Sequence, residues 1–234
     1  MPIRSTDPFH DHLQRLRPEF NRFVEKMRSA DNEDIAALQG PELQPWAKQW
    51  RTYFEQKQQI PEALVLEIGS HLGEVILKMA ADHPQTAFIG MDITLKRVVK
   101  LAEKAKQSEL KNLVSILANA RGLDQLFADR ELDGVLLFFP DPWAKKKRQE
   151  KNRLANADFF ESLARKLSSQ GYFWFKTDCL PYFEDVVQIL KDNAWRPSTP
   201  VEGLPSQIYT SRFERLFREQ GLPSYEGVWL PPLS

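Results

Sequence analysis

The chain has 234 residues, enough for one sizeable core with an appended segment. Its apolar and charged fractions, 42% and 27%, are those of an ordinary globule, and no stretch approaches membrane-spanning length, which excludes fibrous, disordered and membrane-spanning classes. Thirty-two cations match thirty-two anions, so overall charge does not point to a nucleic acid, and any such case must rest on local clusters.

From the N-terminus, Met1 to His12 carries no apolar leader core. Leu13, Leu16, Phe20, Phe23, Val24 and Met27 recur near helical spacing and predict a helix over about His10 to Arg28, with Pro18 able to kink or split it and Asp31 to Asp34 ending it. A second helix should carry Trp46, Trp50, Tyr53 and Phe54 on one face, as packing aromatics or as base-stacking platforms. Residues 1–60 are therefore expected to form an N-terminal helical extension, and residues 61–234 the main domain.

After Pro61 the pattern becomes alternating strands and helices. Ala63 to Ile68, Thr86 to Met91, Leu113 to Leu117, Gly134 to Phe139 and Gly171 to Lys176 read as buried strands. Gly73 to Asp82, Leu95 to Gln107, Asn156 to Leu167 and Pro181 to Lys191 read as the helices between and after them. Asn193 to Ser206 reads as loop, Arg212 to Glu219 as helix and Tyr225 to Leu230 as a last strand. This alternation predicts a doubly wound, Rossmann-like α/β sheet.

Ligands of such sheets sit at the carboxyl ends of the strands. Those ends carry Glu67, Asp92, Asn119, Asp141 and Asp178, polar groups that would be costly to bury as mere packing. The first strand runs into Gly69-Ser70-His71-Leu72-Gly73, where glycine lets the backbone approach a ligand. Asp92 lies where a carboxylate accepts from ribose hydroxyls. The loop is not GxGxxG, which disfavours a nicotinamide dinucleotide. A carboxylate at Glu67 would repel a pyrophosphate and attract ammonium and sulfonium charge, which favours S-adenosyl-L-methionine.

The strand Gly134 to Phe139 opens into Pro140-Asp141-Pro142-Trp143 and then a cationic run, Lys145, Lys146, Lys147, Arg148, Lys151 and Arg153. Next to a ligand site such a run suits phosphate neutralisation; elsewhere it would be a solvated surface. Asp141 suits the reacting base or a turn whose backbone it caps, and Trp143 suits packing or stacking. The four histidines are scattered and give no metal-ligand spacing. Lone Cys179 rules out an internal disulfide and fits a packed thiol in a reducing cytoplasm.

Leu66-Glu67-Ile68-Gly69, Ile89-Gly90-Met91-Asp92-Ile93, Asn119-Ala120, Phe138 to Trp143 with Lys145, Phe175-Lys176-Thr177-Asp178 and Ser211-Arg212-Phe213-Glu214 occur in this order over about residues 60–230. In this the chain resembles the bacterial tRNA (guanine-N(7)-)-methyltransferases, the TrmB family. The resemblance implies a class I methyltransferase sheet of seven strands, mostly parallel with the last antiparallel. It implies cofactor contacts from Glu67, Gly69, Asp92, Asn119 and Asp141, and guanosine contacts from Lys145, Asp178, Ser211, Arg212, Phe213 and Glu214, with Asp141 as the catalytic candidate. His71 departs from the family's usual Gly, and Ser211 from its usual Thr. A cytoplasmic enzyme acting on tRNA, with neither metal nor membrane, is the expectation. A methyltransferase for another substrate and a non-catalytic RNA-binding relative are the alternatives.

Overall fold

A computed structural model describes residues 2–14, 16–28, 36–143, 151–199 and 208–233. In chain order its helices are α1 Arg22–Arg28, α2 Trp50–Gln56, α3 Glu74–Asp82, α4 Leu95–Gln107, α5 Leu123–Leu126, α6 Ala157–Lys166, α7 Leu180–Asp192 and α8 Arg212–Glu219. Its strands are β1 Ala37–Gln39, β2 Ala63–Ile68, β3 Thr86–Asp92, β4 Leu113–Leu117, β5 Leu132–Phe138, β6 Leu167–Thr177, β7 Arg196–Ser198 and β8 Tyr225–Leu230.

The strands form one sheet in the order β1-β4-β3-β2-β5-β6-β8-β7. Every pair from β1 to β6 is parallel, and β8 runs antiparallel between β6 and β7. The order reverses between β2 and β5, which opens a crevice at their carboxyl ends. Side chains alternate across the sheet with period two. Leu64, Leu66 and Ile68 of β2 join one apolar cluster with Val135, Leu137, Phe173 and Phe175, while Val65 joins the opposite one with Leu136, Tyr172 and Trp174. Burial on both faces is why these strands read as continuous apolar runs. Each fully buried Leu, Ile or Phe contributes about 1.5–3 kcal/mol, so the sheet is a stiff platform for what its loops carry.

The first sixty residues differ from the simple helical reading. Among the described residues of the expected span only Arg22–Arg28 is α-helix, after a 3-10 turn over Pro18–Phe20. Asp7 and Asp11 instead accept from the Phe9 and Leu13 amides, and Asn21 from Phe23, so short polar side chains close local turns where helix bonds would have run. The apolar spacing still serves packing: Leu13, Val24 and Met27 meet Val98, Val99 and Ala102 of α4 in a third cluster. Ala37–Gln39 adds an edge strand parallel to β4, giving eight strands among the described residues where the resemblance implied seven. Trp50, Tyr53 and Phe54 are buried, with the Trp50 indole donating to the Leu126 carbonyl at 2.9 Å, so these aromatics pack. The region read as loop after Asn193 contains β7, whose Pro197 is tolerated at the sheet edge. The expected break at Asp31 to Asp34 lies outside the described residues.

Candidate active site

A cleft of about 1470 Å³ lies at the crevice between β2 and β5. It is lined by Glu67 near the end of β2 and Gly69 just after it, Asp92 at the end of β3, Asn119 after β4, Asp141 after β5, and Ser211, Arg212 and Phe213 from the start of α8. One small ligand occupies about 300–1,000 Å³, so there is room for a cofactor and a base together.

The loop Gly69 to Gly73 turns through three left-handed residues, with φ of +76° at Gly69, +52° at His71 and +75° at Gly73. At Gly73 a Cβ would lie 2.2 Å from Leu101, whereas at Gly69 it would meet nothing within 4 Å and would project into open space. Gly73 caps α3 without a side-chain hydrogen bond. Glu67 supplies one from the neighbouring strand, accepting from the Ile76 amide. Its other oxygen, Oε2, is buried with no partner among the described residues. Burial first, and the nearby Asp92 second, push this carboxyl up to about 8. An unpartnered carboxylate oxygen inside a cleft is a natural seat for a cationic group, and it fits the ammonium of S-adenosyl-L-methionine.

Asp92 is buried and held on three sides. Oδ1 accepts from the Thr94 amide at 2.8 Å, and Oδ2 accepts from the His71 amide at 3.1 Å and from Arg97 at 3.4 Å. A carboxylate has about four acceptor positions, so capacity for ribose hydroxyls remains. Asn119 caps the turn Ala120–Gly122 through the Arg121 amide.

After β5, Phe139 and Trp143 also take left-handed backbone, φ +50° and +48°. Asp141 is exposed, and its Oδ1 accepts from the Trp143 amide at 3.0 Å. It thus fills the turn-capping role and also lines the cleft. Arg153 is buried, donating to the Pro142 carbonyl at 2.7 Å, pairing with Asp185 and lying over the Tyr182 ring at 4.7 Å. It braces the turn from behind, which corrects its reading as a phosphate-binding cation. Facing the turn is α8, where the Ser211 hydroxyl caps the Glu214 amide at 3.1 Å. Phe213 is half-exposed, its ring edge-on to His71 at 5.7 Å.

A family model described as "Putative methyltransferase" matches residues 61–226. The tRNA (guanine-N(7)-)-methyltransferase of Leptospira interrogans is 35% identical over 167 residues, covering 70% of this chain and 76% of that one. The enzyme of the same name from Chromobacterium violaceum is 36% identical over 166 residues, covering 70% and 72%. The chain belongs to the tRNA (guanine-N(7)-)-methyltransferase family. The crystal structure of the 16S rRNA methyltransferase KamB superposes with a TM-score of 0.56 over 77% of this chain and 94% of that one; at 16% identity the likeness is one of fold.

Several residues singled out by the tRNA (guanine-N(7)-)-methyltransferase motifs stand apart from the cleft. Asp178 is exposed just beyond β6 on the same sheet edge, outside the lining. Glu214 is buried and turned away, paired with Lys176 and Arg218. Lys145 and the run to Arg148 lie outside the described residues. His71, at the family's usual glycine position, keeps the left-handed backbone that glycine would take freely. Burial and the neighbouring Arg97 lower its imidazole, which favours the neutral form. The motifs gave no sign of Pro2 and Arg4, which line the cleft. Ile3 donates to the Ile93 carbonyl at 2.7 Å and Pro2 bridges Thr94, so the N-terminal segment runs beside the loop after β3. A seat of this kind, made by chain pairing across ninety positions, leaves no local signature.

Proposed function

We propose that this chain transfers a methyl group from S-adenosyl-L-methionine to N7 of a guanine in tRNA, in the cytoplasm. When bound, S-adenosyl-L-methionine would supply an electrophilic methyl group to the N7 lone pair, with its sulfur taking the electron pair of the carbon–sulfur bond. Guanine N7 carries no proton, so no base is needed to activate it, and the protein's work is positioning and charge stabilisation.

Glu67, Gly69, Asp92 and Asn119 would hold the cofactor. Glu67 Oε2 and the open space at Gly69 support this assignment. Asp141 would face the reacting guanine, accepting from its ring N–H donors and favouring the positive charge left on the methylated ring. Ser211, Arg212 and Phe213 would meet the guanosine from the opposite wall, with Phe213 offering a ring face. Asp178 and Lys145 would then contact tRNA beyond the base, and the cations after Trp143 would neutralise phosphates. A target guanine inside folded tRNA must leave its stack to enter the cleft.

The observation that carries this reading is the union, in one cleft, of the acidic strand tips and the start of α8. The test is mass spectrometry of tRNA nucleosides after incubation with protein and cofactor. N7-methylguanosine is expected; modification at another atom, or none, would overturn the proposal.

A further inference from the structure

Helix α8 presents Arg212, Phe213 and Leu216 to the cleft, three positions that share a face at 100° per residue. Glu214 and Arg218 lie on its opposite face. The Glu214 carboxylate is 1% exposed and both its oxygens are engaged: Oε2 accepts from Lys176 Nζ at 3.1 Å and Oε1 from Arg218 at 2.6 Å.

Lys176, equally buried, sits near the end of β6. Besides Glu214, its ammonium donates to the Tyr209 carbonyl at 3.1 Å and lies 3.6 Å from Glu226 of β8. The rings of Phe138 and Trp174 flank it at 5.1 and 5.0 Å. Its backbone carbonyl accepts from Phe139 at 2.8 Å, at the entrance to the Pro140–Trp143 turn. One residue therefore touches both walls of the cleft, the Asp141 turn through its main chain and α8 through its side chain.

We infer that Lys176 is a positioning residue, forming with Glu214 a buried lock that sets α8 against the Asp141 turn, and that Glu214 serves this lock and not the guanine edge. The inference rests on the proposed reaction for its kinetic consequence, and on packing alone for its structural one. A misplacement of about 1 Å between cleft walls costs on the order of a hundredfold in rate. Removing one partner leaves the other's buried charge, among the described residues, only a part-exposed charged neighbour, Arg218 for Glu214 and Glu226 for Lys176, whereas replacing both with apolar residues of similar volume leaves no buried charge. Arg218 and Glu226, both part-exposed, can return to water in that case.

The test compares Glu214→Gln, Lys176→Met and the double Lys176→Met/Glu214→Leu with wild type. Each single variant should lose about a hundredfold in kcat/KM for tRNA, with cofactor Kd held within about twofold because the cofactor residues are not in the lock. The double variant should return to within about tenfold of wild type, since neither buried charge of the lock remains. A double variant as poor as Glu214→Gln would mean that the carboxylate itself meets the base, and would overturn the inference. Should the single variants fail to fold, the double variant decides alone. Amide exchange separates the lock from the reaction. Glu214→Gln should speed exchange across residues 209–219 while cofactor affinity is kept, even if wild type proves to methylate something other than tRNA. Unchanged exchange there would overturn the lock without touching the proposed function.

Discussion

Replacing Glu67 with glutamine tests the electrostatics of the cofactor seat. Burial and Asp92 raise this carboxyl from 4.5 to about 8, a difference worth roughly 4–5 kcal/mol between its two protonation states. The folded protein binds this proton more tightly than the unfolded chain does. The stabilisation is therefore full below about pH 4.5 and is lost as pH rises towards 8. At pH 7 some 3 kcal/mol of it is gone, which for a chain of this length corresponds to about 6–12 °C in Tm. Glu67→Gln carries no titrating group there. About 2.5 kcal/mol of the wild-type loss falls between pH 5 and pH 7, so without cofactor the variant's Tm should gain on wild type by about 5–10 °C over that interval. The cofactor should reverse the order. An ammonium near Oε2 favours the ionised form, so wild type at pH 7 should release up to about one proton on binding. Its calorimetric enthalpy should then change with the ionisation enthalpy of the buffer. The variant should bind about 10–100-fold more weakly, for loss of a charge-assisted hydrogen bond. Parallel Tm–pH curves for the two proteins, together with a buffer-independent enthalpy for wild type, would refute the reasoning.

Three further perturbations address other parts of the cleft. His71→Gly relieves a left-handed backbone at φ +52° and should stabilise by about 1 kcal/mol, raising Tm by about 2–4 °C; a lower Tm in a thermal melt would mean that the Phe213 contact outweighs the strain. Asp141→Ala loses one exposed turn hydrogen bond, costing about 1 kcal/mol, while methyl transfer to tRNA should fall at least about a hundredfold; turnover of labelled cofactor near the wild-type rate would remove Asp141 from the reaction. At Gly122 a Cβ would lie 2.8 Å from the Thr6 carbonyl, so Gly122→Val should push the N-terminal segment off the sheet edge at a cost of about 1–3 kcal/mol and weaken cofactor binding by displacing Pro2 and Arg4. Unaltered cofactor Kd in that variant would show that the segment does not contribute to the seat.

The fold was legible where one physical signal dominated. The strands from Ala63 to Lys176 are buried on both faces, so each announced itself as an apolar run, and α4, β4, α8 and β8 fall on their expected residues. Legibility failed where two signals competed. Leu13, Val24 and Met27 keep helical spacing because all three face α4, yet Asp7, Asp11 and Asn21 divert the backbone into turns between them. Periodicity reports which residues are buried, and only indirectly what the backbone does to bury them. The edge strands Ala37–Gln39 and Arg196–Ser198 are three residues long, too short for alternation to register.

The site divides in the same way. Glu67, Asp92, Asn119 and Asp141 could be placed together because topology alone brings the carboxyl ends of parallel strands to one edge. Lys176 and Glu214 could not, since a charged residue in a motif reads as a ligand contact until its burial is known. Lys176 occupies β6 between Trp174 and Glu226, where an ammonium is tolerated only with partners close by, and those partners come from α8 and β8, some forty to fifty residues later. The tRNA (guanine-N(7)-)-methyltransferase motifs thus mix two kinds of residue. Glu67 keeps an oxygen without a partner among the described residues, which is what supports its proposed ligand role, whereas both oxygens of Glu214 are engaged inside the protein. The unspent acceptor capacity of each carboxylate, more than its place in a motif, separates ligand seats from the framework that aims them.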